Sequence, residues 1–556
     1  MTDPVPRFRS LCTLNSLGEG RPTLVRAEGG RRLVCIRRGD SVDVLDDECP
    51  HEGHPLSMGV FRDGVLTCQW HNWRFRTEDG ECLVGHESVR RHSSEVLHGE
   101  VFVAIDRDNA RGAREHERER HREDLRRAFD RCSLDGAVRA ALRLARVATP
   151  WAAWLVAIER ISRRAHMGPG DAFSRARAAW SLLEAGVLAL AEACAVLCAA
   201  VVDFVAGQPL AKAPVAVESD ASSALDVLEA LAEERVESAV AMALGVRIDS
   251  SLELVCRSWL APWLATRLWD GGLLLARTED AVALFRALDA AAAAESDEDE
   301  TAEVRRVGRL ALAAVVRGAA SAVPDSDLPG WRSTRQALLD ARTIRASEAS
   351  RAVDEVALGL ALLGSEAQAL SVSRRAIEEG ASLGWVERAL AWASVERLAR
   401  YDLRWSSRRT VSPVCAIDIG AAARSVRALV ALAPSVAAPQ RVALALSSTG
   451  LVGKLRRTSL DARPPSPARA PTREALATLV RRGCLGGTSL RAEGAPLAFA
   501  LWSLHVELGV DLESCIAAAE RAFVDDSPPD LARVAEVSAL RVGRDGSVAR
   551  RPGAIE

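Results

Sequence analysis

Four residues in two short segments carry the most chemistry in this chain: Cys49-Pro50-His51 and, sixteen residues later, Cys68-Gln69-Trp70-His71. Each segment supplies one soft thiolate and one imidazole. A zinc finger usually pairs its two cysteines in one segment and its two histidines in another. The interleaved order instead suits a two-iron, two-sulfide cluster with thiolates on one iron and imidazoles on the other. A zinc site is the alternative use of the same donors.

The flanking residues narrow this reading. Cys-Pro-His-Glu-Gly-His-Pro-Leu at 49–56 resembles the first cluster loop of Rieske ferredoxins and ring-hydroxylating oxygenases. Cys-Gln-Trp-His-Asn-Trp-Arg-Phe at 68–75 resembles their second, with Asn72 where that family usually has glycine. Asparagine tolerates positive φ, so the turn can survive the exchange. Strand-like segments at 31–36 and 42–48 lead into the first loop, and Gly80-Glu81 and 99–104 resemble closing hairpin strands. The resemblance covers residues 5–107. It implies an all-β module with one 2Fe–2S cluster per chain, Cys49 and Cys68 on one iron and His51 and His71 on the other. The outer imidazole edges are then where an electron leaves and where a proton can be coupled to reduction.

The same resemblance ranks the potential. Respiratory relatives carry a further cysteine in each loop, joined as a disulfide, and a serine two residues past the last ligand. Here those positions hold His54, Trp70 and Trp73. Fewer hydrogen bonds to sulfur stabilise the reduced cluster less, which implies a potential near the low end of the range, about −150 mV. A ferredoxin or flavin reductase is the implied electron donor. His54 reads as a residue beside the cluster or on the surface, not as a fifth ligand.

At 556 residues with 48% hydrophobic content, the chain is long enough for two to four domains. A net charge of −3 gives no reason to propose a nucleic-acid or membrane-surface partner. Lysine occurs only at 212 and 454, leaving few candidates for Schiff-base chemistry. The N-terminus lacks a charged start followed by an apolar stretch, and the longest uncharged piece of the most apolar region, 193–202, suits a buried helix. Twelve cysteines spread without a framework suit a reduced, cytoplasmic protein.

Beyond the module the pattern changes. A charged run, 107–127, reads as a solvated helix or linker and gives a connecting segment of 108–135. Helical periodicity then takes over: Leu225, Leu228, Ala232, Val236, Ala239 and Ala243 share one face, with Gly245 placed to stop the helix. Alanine- and leucine-rich segments of the same kind recur from 136 to 523, and Pro464-Pro465-Ser466-Pro467 reads as a surface linker. The expected fold is α+β and multidomain: a small all-β module, then a large all-α region over 136–460 and a C-terminal helical segment over 472–556.

Candidates for a second reactive centre are sparse. Oxygenase subunits of the resembled family hold a mononuclear iron by two histidines and a carboxylate. The one matching spacing here is His116 and His121, with Ala113 at the acid's place, and rings five residues apart on a helix diverge by about 140°. Glu95-Val96-Leu97-His98 is a Glu-x-x-His that lies within the β module; past residue 121, histidine occurs only at 166 and 505. Glu192 and Asp203 lie near one helical stripe with Glu184 or His166 as companions, and read as a polar edge. Cys194 and Cys198, one turn apart, read as small buried residues. Neither a phosphate-cradling glycine loop nor a Gly-x-Ser-x-Gly elbow is present.

The expected function is iron–sulfur electron transfer serving an oxidoreductase or oxygenase reaction in or against the helical region, with a small-molecule substrate. The alternative is a redox carrier or redox-sensing module whose helical part is a partner-docking scaffold.

Overall fold

The structure, a computed structural model, describes residues 8–27, 30–51, 53–85, 87–104, 110–206, 208, 227, 229–231, 235–245, 273–294, 298–321, 332–341, 343–344, 354–400, 414–454, 467–468, 470–486, 494–523 and 530–545. It divides into two compact units, one of Met1–Val156 with Val534–Glu556 and one of Ala157–Arg533.

The first unit opens with β1 (Phe8–Thr13), β2 (Thr23–Arg26), β3 (Arg32–Arg38) and β4 (Ser41–Asp46). Four short strands follow: β5 (Val60–Arg62), β6 (Val65–Thr67), β7 (Arg74–Arg76) and β8 (Cys82–Val84). β9 (Arg91–Leu97) and β10 (Glu100–Ala104) close the module. One sheet runs β1-β10-β9-β4-β3-β2 and the other β5-β6-β7-β8, with neighbours antiparallel. The all-β module expected at the N-terminus is therefore present.

β3 shows how the module is layered. Leu33, Val34, Cys35 and Ile36 are all buried, although a strand at a surface would alternate. Its odd residues, Leu33 and Cys35, join Val42, Val44, Val101 and Val103 in one core. Its even residues, Val34 and Ile36, join Leu45, Leu56, Leu66 and Phe75 in the other. That second core also contains Cys49 and Cys68, so β3 is the wall beneath the site.

Two-residue turns set the register of the hairpins. Asp63-Gly64 between β5 and β6 has φ of 49° and 78°, and His98-Gly99 between β9 and β10 has 51° and 77°. Positive φ at both positions matches the right-handed twist of the paired strands. His98 is thus a solvent-exposed turn residue, and the Glu95-x-x-His98 spacing carries no metal role.

Two helices complete this unit. α1 (Ala110–Asp130) comes from the charged run, and α2 (Leu134–Val147) follows after Cys132 at φ 51° and the N-cap Ser133. The solvated reading of the run fails on one face. His121, Asp124, Leu125, Ala128 and Phe129 recur at helical spacing and are buried. Asp124 Oδ1 accepts from the Ser88 backbone at 3.2 Å, which ties α1 to the segment after β8.

In the second unit the described residues are helical, with no strand among them. The helix Leu190–Ala206 occupies the apolar stretch and is parted from the helix before it, Ala172–Glu184, at Gly186 with φ 71°. Helices follow at Val236–Gly245, Leu273–Ala294, Glu298–Ser321, Arg332–Asp340, Glu355–Leu362, Glu366–Glu378 and Leu383–Ala399. Val414–Leu432, Ala438–Lys454, Arg473–Leu485, Gly494–Leu508 and Leu512–Ala522 continue the set. The helix Val236–Gly245 ends where Gly245 was expected to stop it; Leu225, Leu228 and Ala232 lie outside the described residues, as do Pro464-Pro465-Ser466. Gly494–Leu508 was not legible as a periodic segment: its residues from 494 to 504 are buried all round, so it has no polar stripe.

Candidate metal centre

The two loops at Cys49 and Cys68 share one backbone design. Cys49 N–H donates to the His54 carbonyl at 2.8 Å, and Cys68 N–H donates to the Trp73 carbonyl at 2.8 Å. Gly53 N–H returns to the Cys49 carbonyl at 2.8 Å, and Asn72 N–H returns to the Cys68 carbonyl at 3.0 Å. The residue four past each cysteine is left-handed, Gly53 at φ 75° and Asn72 at φ 57°. Asn72 therefore does the work of a glycine, as its tolerance of positive φ allows. The first loop is also pinned at its ends: Asp47, buried and paired with Arg32 at 2.8 Å, accepts from the Ser57 N–H at 2.6 Å.

This design puts the thiols inside and the imidazoles outside. Cys49 and Cys68 are 1% and 0% exposed, whereas His51 is half-buried and His71 exposed. The two ring nitrogens His51 Nδ1 and His71 Nδ1 are 3.0 Å apart. Two nitrogens on one tetrahedral metal, at bonds of about 2.0–2.1 Å, lie about 3.3 Å apart. The donor set thus fits an iron with two imidazole ligands beside a buried thiol pair. Among the described residues no three His, Cys, Asp or Glu side chains converge on a single ion's position. A binuclear cluster does not ask for that, because each iron takes two protein ligands and the sulfides complete its shell.

Burial pushes the Cys49 thiol up to about 12, with the His51 backbone N–H opposing and the Cys68 and Cys82 thiols adding to the rise. Burial likewise pushes Cys82 up to about 12. Coordination to a metal would remove the proton that burial holds on the Cys49 thiol.

Aromatic rings fix the imidazoles. Trp73 stacks on His51 with centroids 4.7 Å apart and planes at 20°. Gly85, at φ 132°, makes room for it, since a Cβ there would stand 2.4 Å from the indole. His54 and Trp70, the two positions that hold cysteines in respiratory relatives, stack at 4.5 Å and 10°. Trp73 was read from the sequence only as filling the place of a serine, and Gly85 was not read as a site residue. Gly85 has a signal only in hindsight, as a glycine in a strand-end segment where another group approaches closely.

Comparison with known proteins bears on the module as a whole. The sequence model of the Rieske [2Fe-2S] domain matches residues 8–93. Residues 8–93 are a Rieske domain. This class of domain carries a 2Fe–2S cluster. Over 55 residues the chain is 42% identical to the 3-chlorobenzoate-3,4-dioxygenase oxygenase subunit of Comamonas testosteroni, covering 10% of this chain and 12% of that one. Over 75 residues it is 31% identical to a probable 3-ketosteroid-9-alpha-monooxygenase oxygenase component of Rhodococcus rhodochrous, covering 14% and 18%. The chain thus spans only 12–18% of the length of these curated relatives. Among solved structures, the ferredoxin of carbazole 1,9a-dioxygenase from Nocardioides aromaticivorans is 31% identical, with 17% of this chain and 96% of that chain covered and a TM-score of 0.16.

The other candidate residues take structural places. His121 Nδ1 lies 3.8 Å from Asp124 and its Nε2 3.9 Å from Glu117; the side chain of His116 is outside the described residues. Glu192 accepts from Arg481 Nε at 2.8 Å and from its own helix start at Ala189 N–H, 3.0 Å. Asp203 pairs with Arg175 at 3.0 Å. His505 Nδ1 meets the Val510 carbonyl at 2.9 Å, closing a helix end. His166 is half-buried at a bridge to Gly168, whose Cα packs on Gly318. Cys194 and Cys198 are fully buried, and burial raises both thiols, Cys194 to about 12. Among the described residues no helix is long and apolar enough to cross a membrane.

Proposed function

We propose that Cys49 and Cys68 hold one iron of a single 2Fe–2S cluster and His51 and His71 the other, and that the chain relays single electrons for an oxidative reaction. The 3.0 Å approach of the two Nδ1 atoms, beside two buried thiols, carries this reading. The bound cluster supplies one-electron chemistry. The protein's part is to bury the thiols away from water and to hold the imidazoles near the surface. Stacking on Trp73 fixes the plane of His51. The oxygenase subunits among the relatives support an oxygenase-type reaction with a small-molecule substrate, and a ferredoxin or flavin reductase as the electron donor. A cytoplasmic location belongs to the same reading.

A second reading has its own observation. Each buried carboxylate among the described residues of Ala157–Arg533 faces an arginine: Glu159, Glu192, Glu279, Asp280, Glu387 and Glu396. Carboxylates so engaged favour a helical part that is a docking scaffold for an electron carrier.

The ligand assignment is tested by His71→Cys. The variant should keep a cluster while its absorption and electron-resonance spectra shift toward the all-cysteine type. An unchanged spectrum would remove His71 from the ligand set.

A further inference from the structure

Two arginines on α2 reach the first cluster loop from outside the β module. Arg139 and Arg143 are four residues apart and so share one helical face. Arg139 Nε donates to Glu87 Oε1 at 2.7 Å, and Arg143 Nη1 meets Glu87 Oε2. Arg143 Nη2 also donates to the Pro50 carbonyl at 3.4 Å, and Pro50 sits between Cys49 and His51. The side chains of Glu87, Arg139 and Arg143 are 0%, 2% and 12% exposed. Salt and water therefore screen their charges poorly.

Reduction adds one negative charge to a cluster, and nearby charge is one of the quantities that set its potential. A guanidinium held against the ligand loop favours the reduced form. The planar fork of arginine lets one side chain serve the Glu87 carboxylate and the Pro50 carbonyl at once. Neither residue was legible as part of the site, because α2 reads as an ordinary alanine- and leucine-rich segment.

We infer that Arg143 is a positioning residue for the metal centre, fixing the first cluster loop and holding the reduction potential above the value the loop sequences alone would set. The inference rests on the ligand assignment proposed above.

The test uses the full chain, reconstituted anaerobically with iron and sulfide, with midpoint potentials from redox titrations followed by electron resonance. Arg143→Gln should lower the potential and Arg143→Lys should restore most of it. Glu87→Gln, which removes a negative charge from the same cluster of side chains, should shift it upward. An Arg143→Gln protein with full iron content and the wild-type potential would overturn the inference. So would a lysine variant that tracks the glutamine one, or failure of both Arg143 variants to take up iron, since the residue would then serve only the loop's fold. A wild-type chain that forms no cluster would instead remove the ligand assignment itself.

Discussion

At the loops around Cys49 and Cys68, two imidazoles meet at the surface and two thiols are buried; among the helices of Ala157–Arg533, buried carboxylates meet arginines. Asp171 takes Arg277 in a two-point contact at 2.8 and 3.1 Å and Arg424 at 2.5 Å. Arg427 bridges Glu279 and Asp280, and with Arg177 it lies over the Phe499 ring. Both regions bury polar groups, and both must compensate them. In the helical unit, among the described residues, opposite charges neutralise each other, which stabilises packing. In the loops soft neutral donors stand in two short segments, with the two imidazole Nδ1 atoms 3.0 Å apart, which is the basis of the proposed metal centre. The difference is one of donor type: the Rieske domain gathers soft donors near its surface, whereas the described helices pair hard charges inside.

That contrast can be broken most forcefully at Asp171. Asp171→Asn leaves Arg277 and Arg424 without their shared carboxylate, and losing one partner of a buried ion pair costs about 3–5 kcal/mol. The helical transition followed by circular dichroism should fall in temperature, while the spectrum of a reconstituted cluster stays unchanged. A changed cluster spectrum would mean that the two regions are not separable in function.

A smaller effect is expected at Gly85. A Cβ there meets the Trp73 indole at 2.4 Å and the Cys82 sulfur at 2.8 Å, at a φ of 132° that favours glycine. Gly85→Ala should destabilise the β module by about 1–3 kcal/mol. Displacing Trp73 from His51 should also alter the cluster's absorption. An unperturbed unfolding midpoint and spectrum would show that the stack does not position His51.

The smallest effect is a dependence on pH. Burial alone would raise the Asp46 carboxyl, but the hydrogen bond from His92 at 2.9 Å and the charge of Arg31 overcome it and hold Asp46 at about 2. Burial lowers His92, which keeps its ring neutral beside the carboxylate. The stability from ionised Asp46 is complete above its ordinary value of 3.8 and is lost as pH falls through about 2. Neutral His92 acts in the same direction, because the unfolded chain takes up that proton first as pH drops below 6.5. Asp46 is 28% exposed, so the combined loss in acid is on the order of 1–2 kcal/mol. Denaturant midpoints of the β module should decline in acid, and Asp46→Asn should flatten that decline. A wild-type profile with no acid limb would contradict the pairing.

What was legible in the sequence followed from local constraints. Cys49, His51, Cys68 and His71 stand within two short loops, so a metal site could be expected from their types and order; the all-β module followed from the resemblance of those loops to a known family, and the helical remainder from periodicity. The positive φ of Asn72 was legible for the same reason, being a property of one residue in one turn. Contacts across long sequence separations were hidden. Glu87 and Arg139 are 52 residues apart, and Pro50 and Arg143 are 93 apart. The charged run misled because its composition is polar, yet His121, Asp124 and Leu125 at its end, continued by Ala128 and Phe129, form a buried face. Arginine bias was visible without its use: only the folded chain shows buried arginines such as Arg424 and Arg427 joining helices far apart in sequence.

The central claim is that the two loops grip a binuclear iron centre through two sulfur and two nitrogen ligands. It is met most directly by metal and sulfide analysis of full-length protein reconstituted anaerobically, with electron resonance after reduction. Two irons and two sulfides per chain, with a low-g signal of the mixed-ligand kind, are the predicted result. A colourless protein that gives no signal, or one that takes up zinc in preference to iron and sulfide, would contradict it.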